Sequence, residues 1–172
     1  MRRLTAAAAA LLLAACATPA PQYFVLPDSQ YSKPAARSEE LALKVILAEP
    51  LNNGGLVYQT DAYHINFARN HLWAASLNEA LAASLSNKLN RLDSRYLFVP
   101  AGRSQSSKTL TVYIESFNGS YTGETQVGGY AQWPDGRSTP FLIRTPQQGD
   151  GYTAMVESLE QGLNRAAASI LY

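Results

Sequence analysis

The sequence predicts an α/β (α+β-like) domain: a mixed, largely antiparallel sheet with two amphipathic helices packed on one face. Three observations lead there. Leu41, Leu43, Val45 and Leu47 alternate with Ala42, Lys44, Ile46 and Ala48, and Leu110, Val112 and Ile114 alternate with Thr111, Tyr113 and Glu115. That period of two belongs to strands with one apolar face. Trp73, Leu77, Leu81, Leu85, Leu89 and Leu92 recur every three or four residues, as do Met155, Val156, Leu159, Leu163, Ala166 and Ile170, the period of a helix. Each helix then has a single stripe to bury, and a sheet face satisfies it. The other face of the sheet is either solvated or carries a partner.

Met1-Arg2-Arg3 followed by the uncharged run Leu4 to Ala15 reads as a signal peptide over residues 1–15. The run is well short of the ~20 residues that span a bilayer as a helix. Leu13-Ala14-Ala15-Cys16 resembles the bacterial lipobox, in which the Cys thiol is diacylated, the preceding peptide removed and the new amino terminus acylated. Several acyl chains on Cys16 suffice for stable anchoring; the alternative is an ordinary secretory signal with a free Cys nearby. Residues 16–22 are then the lipidated Cys and a Pro-rich tether. Ala17 resembles the residues that let lipoproteins proceed to the outer membrane. Residues 23–172 form one domain.

Tyr23-Phe24-Val25-Leu26 reads as a first strand, and Asp28 to Glu40 as a loop. Leu41 to Ala48 is the second strand, ended at Pro50, and Asn52-Asn53-Gly54-Gly55 is a turn. Leu56–Gln59 and Tyr63–Phe67 form a small hairpin around Thr60-Asp61-Ala62. The helical period begins at Leu72, yet Ser76 and Glu79 have capping-box spacing, which places the regular helix from Leu77. Asn78, Ser84, Asn87, Lys88 and Arg91 fall on its other faces. Tyr96–Val99 and Thr109–Phe117 are strands, with a return strand from about Tyr121 to Trp133. Its Gly128-Gly129 pair suggests a bulge or bend. Pro134-Asp135-Gly136 turns the chain into Phe141–Arg144, and the closing helix is capped by Asp150 or Thr153.

The whole chain has 172 residues, with 14 Lys and Arg against 13 Asp and Glu. That is one ordinary domain, and the scattered charge carries no nucleic-acid footprint. Cys16 is the one cysteine, which rules out an intramolecular disulfide, a Cys-x-x-Cys pair and a thiolate zinc site. His64 and His71 have no acidic or Cys cluster beside them, and no nucleophile elbow accompanies His71 as a base. Glu39-Glu40 and the pair Asp61 and Glu79 read as surface charges rather than paired acid and base. No phosphate loop is present, so the chain is not itself a transport ATPase. The expectation is no catalysis, no metal and no cofactor beyond the covalent diacylglycerol and N-acyl chain on Cys16. Ten Tyr and two Trp either line a half-wet groove or simply favour strands; Trp73, on the Leu stripe, reads as core.

Gly55-Leu56-Val57-Tyr58-Gln59-Thr60, with Asn70-His71-Leu72-Trp73-Ala74 and the Leu helix, forms one block. Leu110-Thr111-Val112 through Glu115-Ser116-Phe117-Asn118-Gly119, with Tyr121 and Gly123, is a second. Asp150-Gly151-Tyr152 with Met155-Val156 and Ala166-Ala167-Ala168-Ser169-Ile170 is a third. Together with the lipobox they resemble, in order and over most of the chain, the PqiC family of ABC-type transport auxiliary lipoproteins. Ser76 stands where that family often has Pro, and both residues start helices. The resemblance implies a non-catalytic lipoprotein on the periplasmic face of the outer membrane. It would dock an MCE-domain tube protein (PqiB-like) that works with an inner-membrane partner (PqiA-like), and would support envelope integrity. A ring-like homo-oligomer suits a tubular partner. Docking or self-association is expected near Tyr58, Tyr63, Asn70, Tyr121 and Tyr130. The rival readings are a stand-alone lipid-binding carrier and an envelope hydrolase.

Overall fold

A computed structural model of the protein describes residues 19–35 and 38–172. The expected signal peptide and Cys16 lie outside the described residues. In chain order the strands are β1 (Gln22–Phe24), β2 (Glu39–Leu47), β3 (Gly55–Gln59), β4 (Ile65–Trp73), β5 (Tyr96–Pro100), β6 (Thr109–Ser120), β7 (Glu124–Gln132) and β8 (Ser138–Pro146). Helix α1 (Leu77–Leu92) follows β4, and α2 (Gly151–Leu171) closes the chain.

The sheet is organised around β6. One of its edges pairs antiparallel with β7, which pairs in turn with β8. The other edge is shared end to end by two parallel strands. Ala42–Leu47 of β2 align with Thr109–Ile114, and Val57–Gln59 of β3 align with Asn118–Ser120. Between them Pro50, which has no N–H to continue the ladder, sits in a single 3-10 turn over Glu49–Leu51 that turns Leu51 into the core. The sheet therefore forks beyond β6. One arm continues from β2 to the parallel β5; the other runs from β3 to antiparallel β4 and then to β1, parallel to β4. The sheet is mixed as expected, with its hairpins antiparallel and the fork built from parallel pairs.

Both helices lie on one face, as their stripes require. Helix α1 packs against β2, β5 and α2, and α2 packs against β6, β7 and β8. Between helices and sheet lie Phe98, Phe117, Leu43, Leu81, Leu85, Leu110, Ile114 and Leu159, all essentially inaccessible. Burying each such side chain contributes on the order of 1.5–3 kcal/mol.

Several boundaries differ from the sequence reading. Leu72 and Trp73 finish β4 and precede the helix, which begins at Leu77 as the Ser76 spacing indicated. Trp73 donates its N–H to Gly54 O at 2.8 Å and aligns with Phe24 of β1, so strand pairing claims it. It is core all the same, packed on Phe117. Ser76 occupies the N-cap, but its side chain makes no capping bond; its carbonyl accepts the Ala80 N–H. Asp150 likewise caps α2 by position alone. Tyr121 belongs to the β6–β7 turn, not to the return strand, which starts at Glu124. The bulge expected at Gly128-Gly129 has its extra residue across the ladder, where Glu115 falls between the pairs Ile114 with Gly129 and Ser116 with Gly128. A Cβ on Gly129 would collide with the Tyr113 carbonyl, so only glycine permits this approach.

The polar residues of α1 are also placed differently. Ser84, Asn87 and Lys88 are buried, because the segment after β1 straps across them. Ser84 donates to Pro27 O. The Asn87 amide donates to Asp28 O and Gln30 O and accepts the Ser32 N–H. Lys88 reaches both Asp28 and Glu160 of α2, tying strap and helices together.

Candidate functional site

Three loops meet at one end of the sheet. The β3–β4 turn and the β6–β7 turn are neighbours because Gln59 and Ser120 pair in register. The segment leading into α2 joins them, with Gln147 N–H donating to Gly123 O at 2.9 Å. Between them lies a groove of about 470 Å³ lined by Tyr58, Ser120, Tyr121, Gln147, Tyr152 and Met155 among others. At its floor Gly119 lies directly against the Met155 side chain, whose sulfur would have to shift to admit a Cβ.

An aromatic row runs from this groove toward the β1 edge. Tyr58 meets Tyr152 edge-on with centroids 6.1 Å apart; Tyr152 stacks on His71 at 3.9 Å, and His71 lies 5.9 Å from Phe24. The row ties the first turn of α2 to β3, β4 and β1. Burial first, and Tyr58 second, push the Tyr152 hydroxyl's pKa up. Aromatic faces, a thioether and side-chain amides suit an acyl chain or an extended peptide.

The residues singled out in the sequence are only partly gathered here. Tyr58 and Tyr121 line the groove. Tyr63 projects from the adjacent turn at 92% exposure, its N–H donating to Asp61 Oδ1 at 2.8 Å. Asn70 sits half-buried in β4, outside the groove. Tyr130 is on the opposite sheet face, stacked on Tyr113 with centroids 4.5 Å apart. Tyr152, Met155 and Gln147 were not singled out. The signal for Tyr152 and Met155 was present all the same, since Tyr58 and His71, Gly119 and Tyr121, and Tyr152 and Met155 come from the three sequence blocks quoted above, whereas Gln147 lies outside them.

The acidic candidates are held apart. Glu39 pairs with Lys108, whereas Glu40 accepts from Ser104 and from the Gln105 N–H, which lower its carboxyl's pKa. Asp61 accepts from the Tyr63 N–H and lies 2.8 Å from His64 Nδ1, and these contacts lower its pKa too. Glu79 sits in the first turn of α1. Among the described residues no group of three or more His, Cys, Asp or Glu is placed to hold a metal, and no helix is long and apolar enough to cross a membrane.

The family model for the ABC-type transport auxiliary lipoprotein component matches residues 24–171. The chain belongs to this family. As an auxiliary lipoprotein it falls in a family defined by transport, not by an enzyme class. It is 30% identical, over 99% of its length and 96% of theirs, to the proteins named intermembrane transport lipoprotein PqiC in Escherichia coli (strain K12) and Shigella flexneri. A crystal structure of an uncharacterized protein superposes with a TM-score of 0.73 at 27% identity, covering 88% of this chain and 97% of that one. A Xanthomonas campestris protein shares the fold alone, with a TM-score of 0.63 at 19% identity over 88% of this auxiliary lipoprotein and 90% of its own chain.

Proposed function

We propose that the chain is a non-catalytic, outer-membrane-anchored subunit of an MCE-type intermembrane lipid transport system. In this reading Cys16 carries the diacylglycerol and N-acyl chains, the tether gives reach, and the domain docks a PqiB-like tube that works with a PqiA-like inner-membrane partner. The observation that carries it is the convergence of three separated sequence blocks on one aromatic groove, in a family of transport auxiliary lipoproteins. Chemistry in that groove is limited to binding, because its side chains are aromatic, thioether, hydroxyl and amide groups without an activated nucleophile.

Copies assemble side by side into a ring through the sheet edges. The supporting feature is the β1–β4 edge, where Tyr23, Ile65 and Phe67 remain exposed beside Asn70. The uncovered face bearing Tyr130 is available to the same assembly. Affinity purification of the full-length lipidated protein from native membranes, followed by mass spectrometry, tests the reading. Recovery of an MCE-domain protein with its inner-membrane partner is expected. Recovery of the chain alone, where envelope complexes survive, overturns it; stoichiometric phospholipid in that sample identifies a stand-alone carrier.

A further inference from the structure

The domain has two unlike ends. At the groove end, Tyr63 and Tyr121 project from adjacent turns, 92% and 56% exposed. The charged groups there are Asp61 and His64, which pair with each other, Glu124 at the start of β7, Asp150 at the N-cap of α2, and Arg144 two residues before the end of β8. The far end holds the β7–β8 turn and the starts of β2, β5 and β6. It carries three ion pairs, Lys108 with Glu39 and Arg137 with Asp135, both exposed, and the exposed Arg95 with the buried carboxylate of Asp93. Tyrosine combines an apolar ring with a polar tip and suits a lipid–water boundary, whereas paired charges favour water.

The path of the tether selects between these ends. β1 runs parallel to β4, with Gln22 beside His71. At Gln22 the direction of β1 therefore points back toward the start of β4 and the Tyr63 turn. Cys16 precedes Gln22 by as many residues as separate Ile65 from His71. At no more than ~3.3 Å per residue, six residues keep Cys16 within about 20 Å of Gln22, a reach that matches the run of β4 from His71 back to Ile65. A lipid-anchored Cys16 therefore holds the groove end close to the bilayer.

We infer that the Tyr63 and Tyr121 turns rest in the headgroup layer of the anchoring membrane, with the Arg137–Asp135 end pointing into the aqueous space. The lipid surface is thus the occupant of this end, and the groove opens at it. This inference rests on the lipid-anchor reading of Cys16.

The test uses the full-length acylated protein in phosphatidylethanolamine–phosphatidylglycerol vesicles containing a lipid spin-labelled near its headgroup. Three variants carry a fluorescent reporter: Tyr63→Trp, Tyr121→Trp and, as control, Leu142→Trp, which lies mid-strand in β8 with the same 56% exposure as Tyr121. The native Trp73 and Trp133 are buried and set the background. Quenching by the labelled lipid is expected to be several-fold stronger for Tyr63→Trp and Tyr121→Trp than for Leu142→Trp. Equal quenching in all three overturns the inference. A Tyr63→Trp reporter shielded from aqueous acrylamide but silent to the labelled lipid also overturns it, assigning the turns to a protein contact. Mass spectrometry of Cys16 and vesicle flotation separate the two readings. A chain that is not acylated and does not float removes the anchor and this inference together, whereas an acylated, floating chain with silent reporters removes the inference alone.

Discussion

His71 of β4 and Tyr152 of α2 lie face to face, their ring centroids 3.9 Å apart and their planes 27° from parallel. The contact joins the first turn of the last helix to an outer strand of the forked sheet. It also holds Tyr152 against Tyr58 at the groove wall. A stacked pair contributes about 0.5–1.5 kcal/mol beyond its buried area. In a double-mutant cycle of His71→Ala and Tyr152→Ala, chemical denaturation is expected to return a coupling of about 1 kcal/mol. Additive losses would show that the rings merely coincide.

Gly129 is a backbone requirement. Its φ of 155° and the adjacent Tyr113 carbonyl leave no room for a Cβ. Gly129→Ala is expected to cost about 3 kcal/mol and lower the thermal midpoint accordingly. Gly102→Ala, where nothing lies within 4 Å of the added carbon, is the near-neutral control.

The ammonium of Lys88, whose side chain is only 2% exposed, joins α1 to Glu160 of α2 and to Asp28 of the strap. Lys88→Met leaves both carboxylates without that charge, and Glu160 Oε2 already lacks a hydrogen-bond partner. The expected loss is about 2 kcal/mol, because the partly buried Glu160 carboxylate is left without a cation while Asp28 keeps Arg91. Adding Glu160→Leu is expected to restore much of it; a further full loss in urea denaturation would refute the charge argument.

Asp28 makes the strap pH-dependent. Partial burial raises the pKa of its carboxyl, but the Arg91 hydrogen bond and the Lys88 charge outweigh this and hold it below the ordinary value. The unfolded chain therefore binds protons first on acidification. The stabilisation is complete above the unfolded pKa, near 4, and is lost as pH falls through the lower folded value. Asp28→Asn suits the positive φ of 58° and removes the charge together with one of the two acceptor oxygens that meet Asn87, Lys88 and Arg91. It is expected to lower the urea midpoint at neutral pH by an amount that shrinks as the parent's carboxyl protonates on acidification; a difference that does not change with pH would exclude the ionic contribution.

The sequence was legible wherever an element's own period carried the information. The alternation in Leu41–Leu47 and Leu110–Ile114 located two inner strands, and the stripes of α1 and α2 located both helices and the face they share. It was less legible at Leu72 and Trp73. Their spacing to Leu77 continues a helical pattern, but pairing with β1 and Gly54, which periodicity does not see, makes them strand. The polar faces of α1 misled for a similar reason. Asn87 and Lys88 look solvated on a lone helix and become buried once residues 27–32 cross them.

By itself the sequence determined the main element types, the sidedness of each helix and the three blocks that carry the family, because each is local or set by spacing along the chain. Tertiary structure alone decided that β2 and β3 lie end to end along β6, that Tyr58, Tyr121 and Tyr152 share a groove while Tyr130 lies across the sheet, and that the Tyr63 and Tyr121 turns are neighbours at one end. The physical reason is that periodicity reports which side of a segment is apolar but not which distant segment will cover it. That choice is made by strand register and packing among residues far apart in the chain.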